Sequence, residues 1–469
     1  VKRLTWLLTL AFAIGFASQS ASAQLLSLNL GGTSGSSGTR LIVRDTLGLS
    51  GLNLTCLLAG CQVQQSLGDP DGQLFLVTLP SVLNPATAIL QLLLQPGIAG
   101  VEIDQPVSVQ GSTAGTAPYY LSDKMPVNYY GTTVWNGYLT QPAVQLIRSG
   151  AVHSTLQSTG AGVTVAVIDT GVDTTSTVLA PFLVKGYDFT RNKAGGSESG
   201  DVTQSTVAVL DGGYVGVVNQ STVAVLDQST VAVLDQTQYA AFGHGTMTSG
   251  IVHLVAPQSR IMPLKAFGAN GTGYASDVLR AIYYAVNNGA HVLNMSFDFT
   301  SYSPELQRAV NYATGRGAVC VASAGNDGQQ RTVYPAALPN VIDVASTSNN
   351  DTQSSFTNYG APPVLLGAPG EGIMTTYPFQ TYAAGWGTSF SAPLVSGTVA
   401  VMVGQRSPST LQLSGLTLLS SATTNSPTME FQMAQALKYA QAINAPEIAD
   451  RRLDAYQAVR TWQISLGLQ

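Results

Sequence analysis

Histidine is scarce in this chain, with four among 469 residues. One of them, His244, stands between two glycines in "AFGHGTMTSGIV" (241–252). Two other short segments carry matching chemistry. "VAVIDTGVD" ends an apolar run at Asp169, and "GWGTSFSAPLVSG" sets Ser389 at the start of an apolar helical pattern. A hydroxyl, an imidazole and a carboxylate are the parts needed for acyl transfer: a nucleophile, a base to take its proton, and an acid to hold the base. Each part alone has a plainer use, as a turn residue or a helix cap. Three together, each at a strand end or helix start, form a specific signal. A fourth segment, "ASAGNDG", leaves a strand at Asn326. A side-chain amide there can donate to the negative oxygen of a tetrahedral intermediate, with the Ser389 backbone N–H as the second donor.

Such residues need a scaffold that brings them together. From about residue 161, apolar strand-like runs alternate with helical patterns. The runs are 163–169, 260–267, 290–297, 318–325 and 340–346. The clearest helices are 276–289 and 303–317, each starting at a Ser that can cap and ending at Gly. Runs apolar on both faces, alternating with helices, predict an α/β fold: a mostly parallel sheet flanked by helices on both faces. Ligands on such sheets bind outside the C-terminal strand ends. Upstream, strands at 39–45, 72–80 and 99–109 and a helix at 84–97 predict a small α+β module. Residues 110–133 turn polar and read as a linker.

One insertion interrupts the alternation. "QSTVAVLD" occurs at 204–211, 220–227 and 228–235, and "GGYVGVVN" fills the gap. Four tandem octads of even period keep each Val on one sheet face. They predict a small antiparallel or stacked strand insert in a tolerant surface loop.

Hydrophobic residues make up 45% of the chain and charged ones only 10%, which suits a loop-rich globular protein. A net charge of −5 and no long basic run give no footprint for nucleic acid. The start, "VKRLTWLLTLAFAIGFASQSASAQ", has a basic beginning, a short apolar run and Ala21-Ser22-Ala23. This predicts an export signal over 1–23, and a product that is secreted, extracellular or periplasmic, with no membrane attachment after signal removal. Cys56 and Cys61 are close enough in sequence to be joined in an oxidising compartment. Cys320 lies in an apolar strand and reads as an inert thiol, and no Cys/His spacing suits zinc.

Over roughly residues 134–469 the chain resembles the subtilisin-like serine proteases. The matching segments are "VTVAVIDTGVD", "GHGT", "NMSF", "SAGND", "YPAALPNVIDVAS", "SSFTNYG", "LLGAPGEGIMTTYP", "GTSFSAP" and "RLDAYQAV". The order Asp, His, Ser is the one subtilisin uses. The resemblance implies a secreted endopeptidase with Asp169, His244 and Ser389 as its triad and Asn326 at the oxyanion. Protein or peptide substrates would pair as an extended strand with Ser296 and Phe297 and with Ser323, Ala324 and Gly325. It implies no cofactor for the chemistry. The upstream module, through "RLIVRD" and "PGIAGVEIDQPV", resembles the family's propeptide, which chaperones, inhibits and is removed by self-cleavage. The boundaries become 1–23 signal, 24–115 propeptide, 116–160 linker and start of the mature chain, and 161–469 catalytic domain with the 204–235 insert.

The chain departs from the family pattern in places. Met247, Thr248 and Ser249 replace His-Val-Ala after "GHGT", and Phe390 replaces Met after the nucleophile. Phe297-Asp298-Phe299 stands where the substrate strand is usually glycine-rich. "GIVHLVAPQ" continues the His244 helix without the usual calcium loop, so structural calcium has no identifiable site in the sequence and no metal ligand is assigned. The rival reading is a catalytically silent fold that binds or assembles through its octads. The filled catalytic positions weigh against it.

Overall fold

A computed structural model of the chain describes residues 38–109, 116–202, 215–216, 226–227, 237–360, 364–406, 429–448 and 450–468. The expected signal segment and most of the octads lie outside the described residues. Of the octads, Val215–Gly216 pairs antiparallel with Leu226–Asp227. The described residues form two compact units. The first ends at Asp104; the second takes Leu67–Pro70 and the chain from Gln105 onward.

The first unit is a four-stranded antiparallel sheet in the order Gln62–Ser66, Leu74–Leu79, Thr39–Asp45, Ile98–Ile103. Its core joins Leu41, Val43, Phe75 and Val77 of the sheet to Leu52, Ile89 and Leu92 of two helices. The helix Pro85–Leu93 begins as its sequence predicts, with Asn84 accepting from the Thr87 N–H and Pro85 in the first turn. The helix Gly48–Ala59 is not legible in the sequence. It has no side-chain cap, and Leu54, Leu57 and Leu58 are exposed while Leu52 is buried, so its apolar residues trace no single face. Cys56 and Cys61 form a disulfide.

The second unit holds a ten-stranded sheet. Its order is Lys193–Gly195, Gly186–Asp188, Arg260–Lys265, Thr164–Asp169, Val292–Met295, Val319–Ser323, Val341–Thr347, Leu366–Pro369, Arg451–Arg452, Gln441–Ala442. Its neighbours pair parallel except at the two edges, where the outermost strands are antiparallel. The α/β expectation is met, and all five predicted strands are present within a few residues. Alternation along each strand shows why both faces are buried. Val165, Val167, Val319 and Val321 share a core with Met247 and Ile251 of the helix His244–Val255 and with Leu394 and Val395 of the helix Thr388–Gly404. The alternate residues Ala166, Ile168, Cys320 and Ala322 are also fully or almost fully buried, as a sheet covered on both sides requires.

Three expectations need correction. The 99–109 strand is two strands, Ile98–Ile103 in the first unit and Pro106–Ser108 in the second, because Pro106 has no N–H to continue a ladder. Residues 116–133 are not simply linker. Tyr120 is buried in the core of the second unit, and Pro126–Tyr129 and Thr132–Trp135 form a hairpin. Ser276 is not a helix cap, since the helix already starts at Ala275 after an extended Tyr274, whereas Ser303 does cap Pro304–Gly315 by accepting from Leu306 N–H. Among the described residues no helix is long and apolar enough to cross a membrane.

His253 lies on the same helix as His244 and is wholly buried, its ring 4.6 Å from Phe182 and 5.6 Å from Tyr129. Neither ring nitrogen has a hydrogen-bond partner among the described residues. Burial, and then the neighbouring His153, push its imidazole down to about 3 from the usual 6.5. A base depressed on folding contributes stability that is present above its unfolded value and is lost as pH falls toward the folded one. His253→Leu should therefore flatten the acid limb of the melting-temperature curve between about pH 6.5 and 3. An unchanged acid limb in calorimetry would refute this.

Candidate active site

Asp169 ends a strand and His244 opens a helix, and the glycines explain how they meet. Gly243 has φ +87°, and a Cβ there would lie 2.4 Å from the Tyr377 ring. A Cβ on Gly245 would lie 1.9 Å from the Gly171 carbonyl oxygen. Side chains at either place would force the helix start away from the strand end. The glycines thus serve close backbone approach, and that approach delivers the imidazole to the acid. His244 Nδ1 lies 2.8 Å from Asp169 Oδ1 and 3.0 Å from Oδ2. A carboxylate only accepts, so Nδ1 carries the proton, and in the neutral imidazole the lone pair is on Nε2. The Thr170 N–H (2.6 Å) and the Thr248 hydroxyl (3.2 Å) also donate to Asp169. Both Asp169 and His244 are buried.

Ser389 is the second residue of the helix Thr388–Gly404. Its backbone N–H therefore has no intrahelical acceptor. Its hydroxyl donates to the Ser296 carbonyl at 3.4 Å, and His244 Nε2 has no hydrogen-bond partner among the described residues. The structure thus joins Asp169 to His244 directly. Phe390, next in sequence to Ser389, has its ring 5.5 Å from the His244 ring, and no Ser–His hydrogen bond forms. Such bonds often tighten only when substrate is bound. Pro393 sits inside this helix and cannot donate to the Ser389 carbonyl. The Ser296 hydroxyl takes that place at 3.0 Å, tying the helix start to the end of the Val292–Met295 strand.

Asn326 is oriented by Thr388. The Thr388 N–H and hydroxyl both donate to Asn326 Oδ1, at 2.8 and 2.9 Å. A backbone N–H faces only an acceptor, so the amide oxygen is on that side and Nδ2 is turned the other way. Of the remaining candidates, Phe297 is buried against Phe267 and Phe299. Ser323 pairs with Val344, the Ala324 N–H donates to Val344, and Gly325 gives its N–H to Thr388 and its carbonyl to Asn358. One extended segment of the chain itself lies along other residues. Pro106–Ser108 lies antiparallel to Thr272–Tyr274, Ser108 bridges Asp298, and the Val109 N–H donates to Gly271. The sequence reading did not single out 272–274.

It also missed a buried acid. Glu198 accepts from the Gly243 N–H at 3.0 Å, from the Thr246 hydroxyl, and from the Thr170 hydroxyl at 3.4 Å. Those three residues flank Asp169 and His244. Nearby, the buried Lys265 ammonium donates to the Thr170 and Phe267 carbonyls and to Asp201. Among the described residues no group of three or more His, Cys, Asp and Glu side chains is placed to hold a metal ion.

A family model described as the subtilase family matches residues 160–436, more than half of the chain. The chain belongs to the subtilase family. It is 34% identical over 256 residues to thermitase of Thermoactinomyces vulgaris, a match covering 52% of this chain and 76% of thermitase. It is 38% identical over 176 residues to M-protease of Shouchella clausii (strain KSM-K16), covering 36% of this chain. To Subtilisin Savinase of Lederbergia lenta it is 37% identical, again over 36% of this chain. The chain spans 46% of the length of M-protease and 65% of Savinase. Fervidolysin from Fervidobacterium pennivorans, described as a keratinolytic enzyme related to subtilisin, shares the subtilase fold. Its TM-score is 0.64 at 21% identity, over 91% of this chain and 62% of that one.

Burial pushes the Glu198 carboxyl up to about 8, against the opposing pull of Thr246 and Lys265. An acid raised on folding contributes stability that is full below its unfolded value and is lost as pH rises through the folded one. We predict that the melting temperature falls between about pH 4.5 and 8 and that Glu198→Gln reduces the fall. Identical pH profiles for the two proteins would contradict this reading of Glu198.

Proposed function

We propose that this subtilase is an exported serine endopeptidase made as a precursor. The observation that carries the proposal is the buried contact of His244 Nδ1 with Asp169, with Nε2 making no hydrogen bond among the described residues and Ser389 in the first turn of the helix Thr388–Gly404. Ser389 Oγ leaves the Ser296 carbonyl and attacks the scissile carbonyl carbon as His244 Nε2 takes its proton. Asp169 keeps the imidazole in the required tautomer and stabilises the imidazolium. Asn326 Nδ2 and the Ser389 N–H donate to the oxyanion. His244 then gives the proton to the leaving amine, an acyl-enzyme remains on Ser389, and water releases it. The chemistry asks for no cofactor beyond these side chains. The names of the relatives, proteases and subtilisins, support the same class of activity.

Peptide substrates bind as extended strands against Thr272–Tyr274 and Asp298, in the manner of Pro106–Ser108. That segment directly follows the first unit, which acts as the propeptide. In the register that sets Ser108 opposite Asp298, self-cleavage then falls just after Gln110. The chain carrying it to the cell exterior is the 1–23 signal.

Three outcomes test the proposal. Wild-type protein should acquire a new N-terminus within residues 110–116, and Ser389→Ala should stay in one piece, as read by N-terminal mass spectrometry. Processing that persists in Ser389→Ala purified apart from other proteases would contradict it. Asn326→Ala should lower kcat by about 10²–10³-fold, the cost of losing one such donor in subtilisin. A KM effect with unchanged kcat would remove Asn326 from the oxyanion role.

A further inference from the structure

Asp298 is a buried acid that the triad chemistry does not use. It is only 5% exposed, and its carboxylate makes no hydrogen bond among the described residues. Its charged neighbours are Asp327, of like sign, and Arg331, which is already paired with Asp327 at 2.9 Å. Burial, then Asp327, push its carboxyl up to about 7. A buried carboxyl beside another acid, with no donor of its own, is costly unless something else supplies the donor.

The strand register says what that would be. Ser108 bridges Asp298 antiparallel, so the two side chains share one sheet face. In the same register a substrate residue two places farther along lies opposite Ser296, on that same face and diagonal to Asp298. The Ser296 carbonyl is where the Ser389 hydroxyl rests. The residue opposite Ser296 is therefore the one whose carbonyl Ser389 attacks. On the other side, Asp298 Oδ2 lies 2.9 Å from where a Cβ on Gly325 would stand, next to Asn326. Asp298 thus sits beside the side chain at the cleaved bond. In the sequence, the residue two places beyond Ser108 is Gln110, whose side-chain amide is a hydrogen-bond donor.

We propose that Asp298 selects substrates with a hydrogen-bond-donating side chain, Arg and Lys foremost, at the residue whose carbonyl Ser389 attacks. This rests on the endopeptidase reading above and names its substrate class. A carboxylate in this place offers Arg a charge-assisted pair and offers Leu an unpaired buried acid.

The test uses the full chain after it has processed itself, at alkaline pH where Asp298 is charged. Matched peptides differ only in carrying Arg or Leu before the cleaved bond. In wild type the Arg to Leu ratio of kcat/KM should be about tenfold or more, and Asp298→Asn and Asp298→Ser should bring it close to one. A wild-type ratio near one, or a ratio kept in both variants, would overturn the proposal. The ratio is taken within each protein, so a partly unfolded variant does not distort it. If no peptide is cut, the endopeptidase reading fails. Binding of peptides ending in Arg or Leu to the same processed chain then decides for Asp298, and equal affinities overturn it.

Discussion

The close approach of the His244 helix start to the Asp169 strand end is the constraint the site is built around. The two segments are 75 residues apart in sequence and meet at 2.8 Å. Both side chains are buried, so the acid must be met by donors or its desolvation would be prohibitive. The imidazole, Thr170 and Thr248 supply them. The backbone is brought in by glycine on both sides of the histidine. Behind it, the Glu198, Thr246 and Thr170 contacts fasten the same two segments from the buried side.

The parallel sheet makes this meeting possible. Thr164–Asp169, Val292–Met295 and Val319–Ser323 are adjacent and run the same way, so their carboxyl ends share one edge. Asp169, Ser296 and Asn326 come from those three ends. His244 and Ser389 come from the first turns of two helices that share one core against the sheet. First turns present unpaired N–H groups, and that is the arrangement an oxyanion calls for. Polar ties across the seam hold it in register: Thr388 to Asn326, and Ser296 to Ser389 in the place Pro393 leaves open.

The strands and the site motifs were legible in the sequence for local reasons. Apolar runs such as "VAVID" and "AVCVAS" are long enough and doubly apolar, which is the mark of a strand buried on both faces. The glycines around His244 stand out in the sequence, and their purpose is close approach to Tyr377 and Gly171. What was not legible depends on tertiary placement. Glu198 lies 46 residues before His244, across the octads, and nothing local marks it as a partner of Thr246. Thr388 reads as a plain helix-start residue until Asn326 is set beside it. The burial of Tyr120 was hidden in a polar stretch, because its hydroxyl is satisfied by the Gly372 carbonyl at 2.6 Å. The strand Thr272–Tyr274 is three residues long and gives no periodicity to read.

The proposed chemistry depends on an activated Ser389. Its most direct measurement is labelling of the processed protein with a fluorophosphonate probe, mapped by mass spectrometry. The predicted result is a single modified residue, Ser389, whose label disappears in His244→Ala while the protein remains folded. A folded, processed protein that takes up no label, or one whose Ser389 labels equally well without His244, would contradict it.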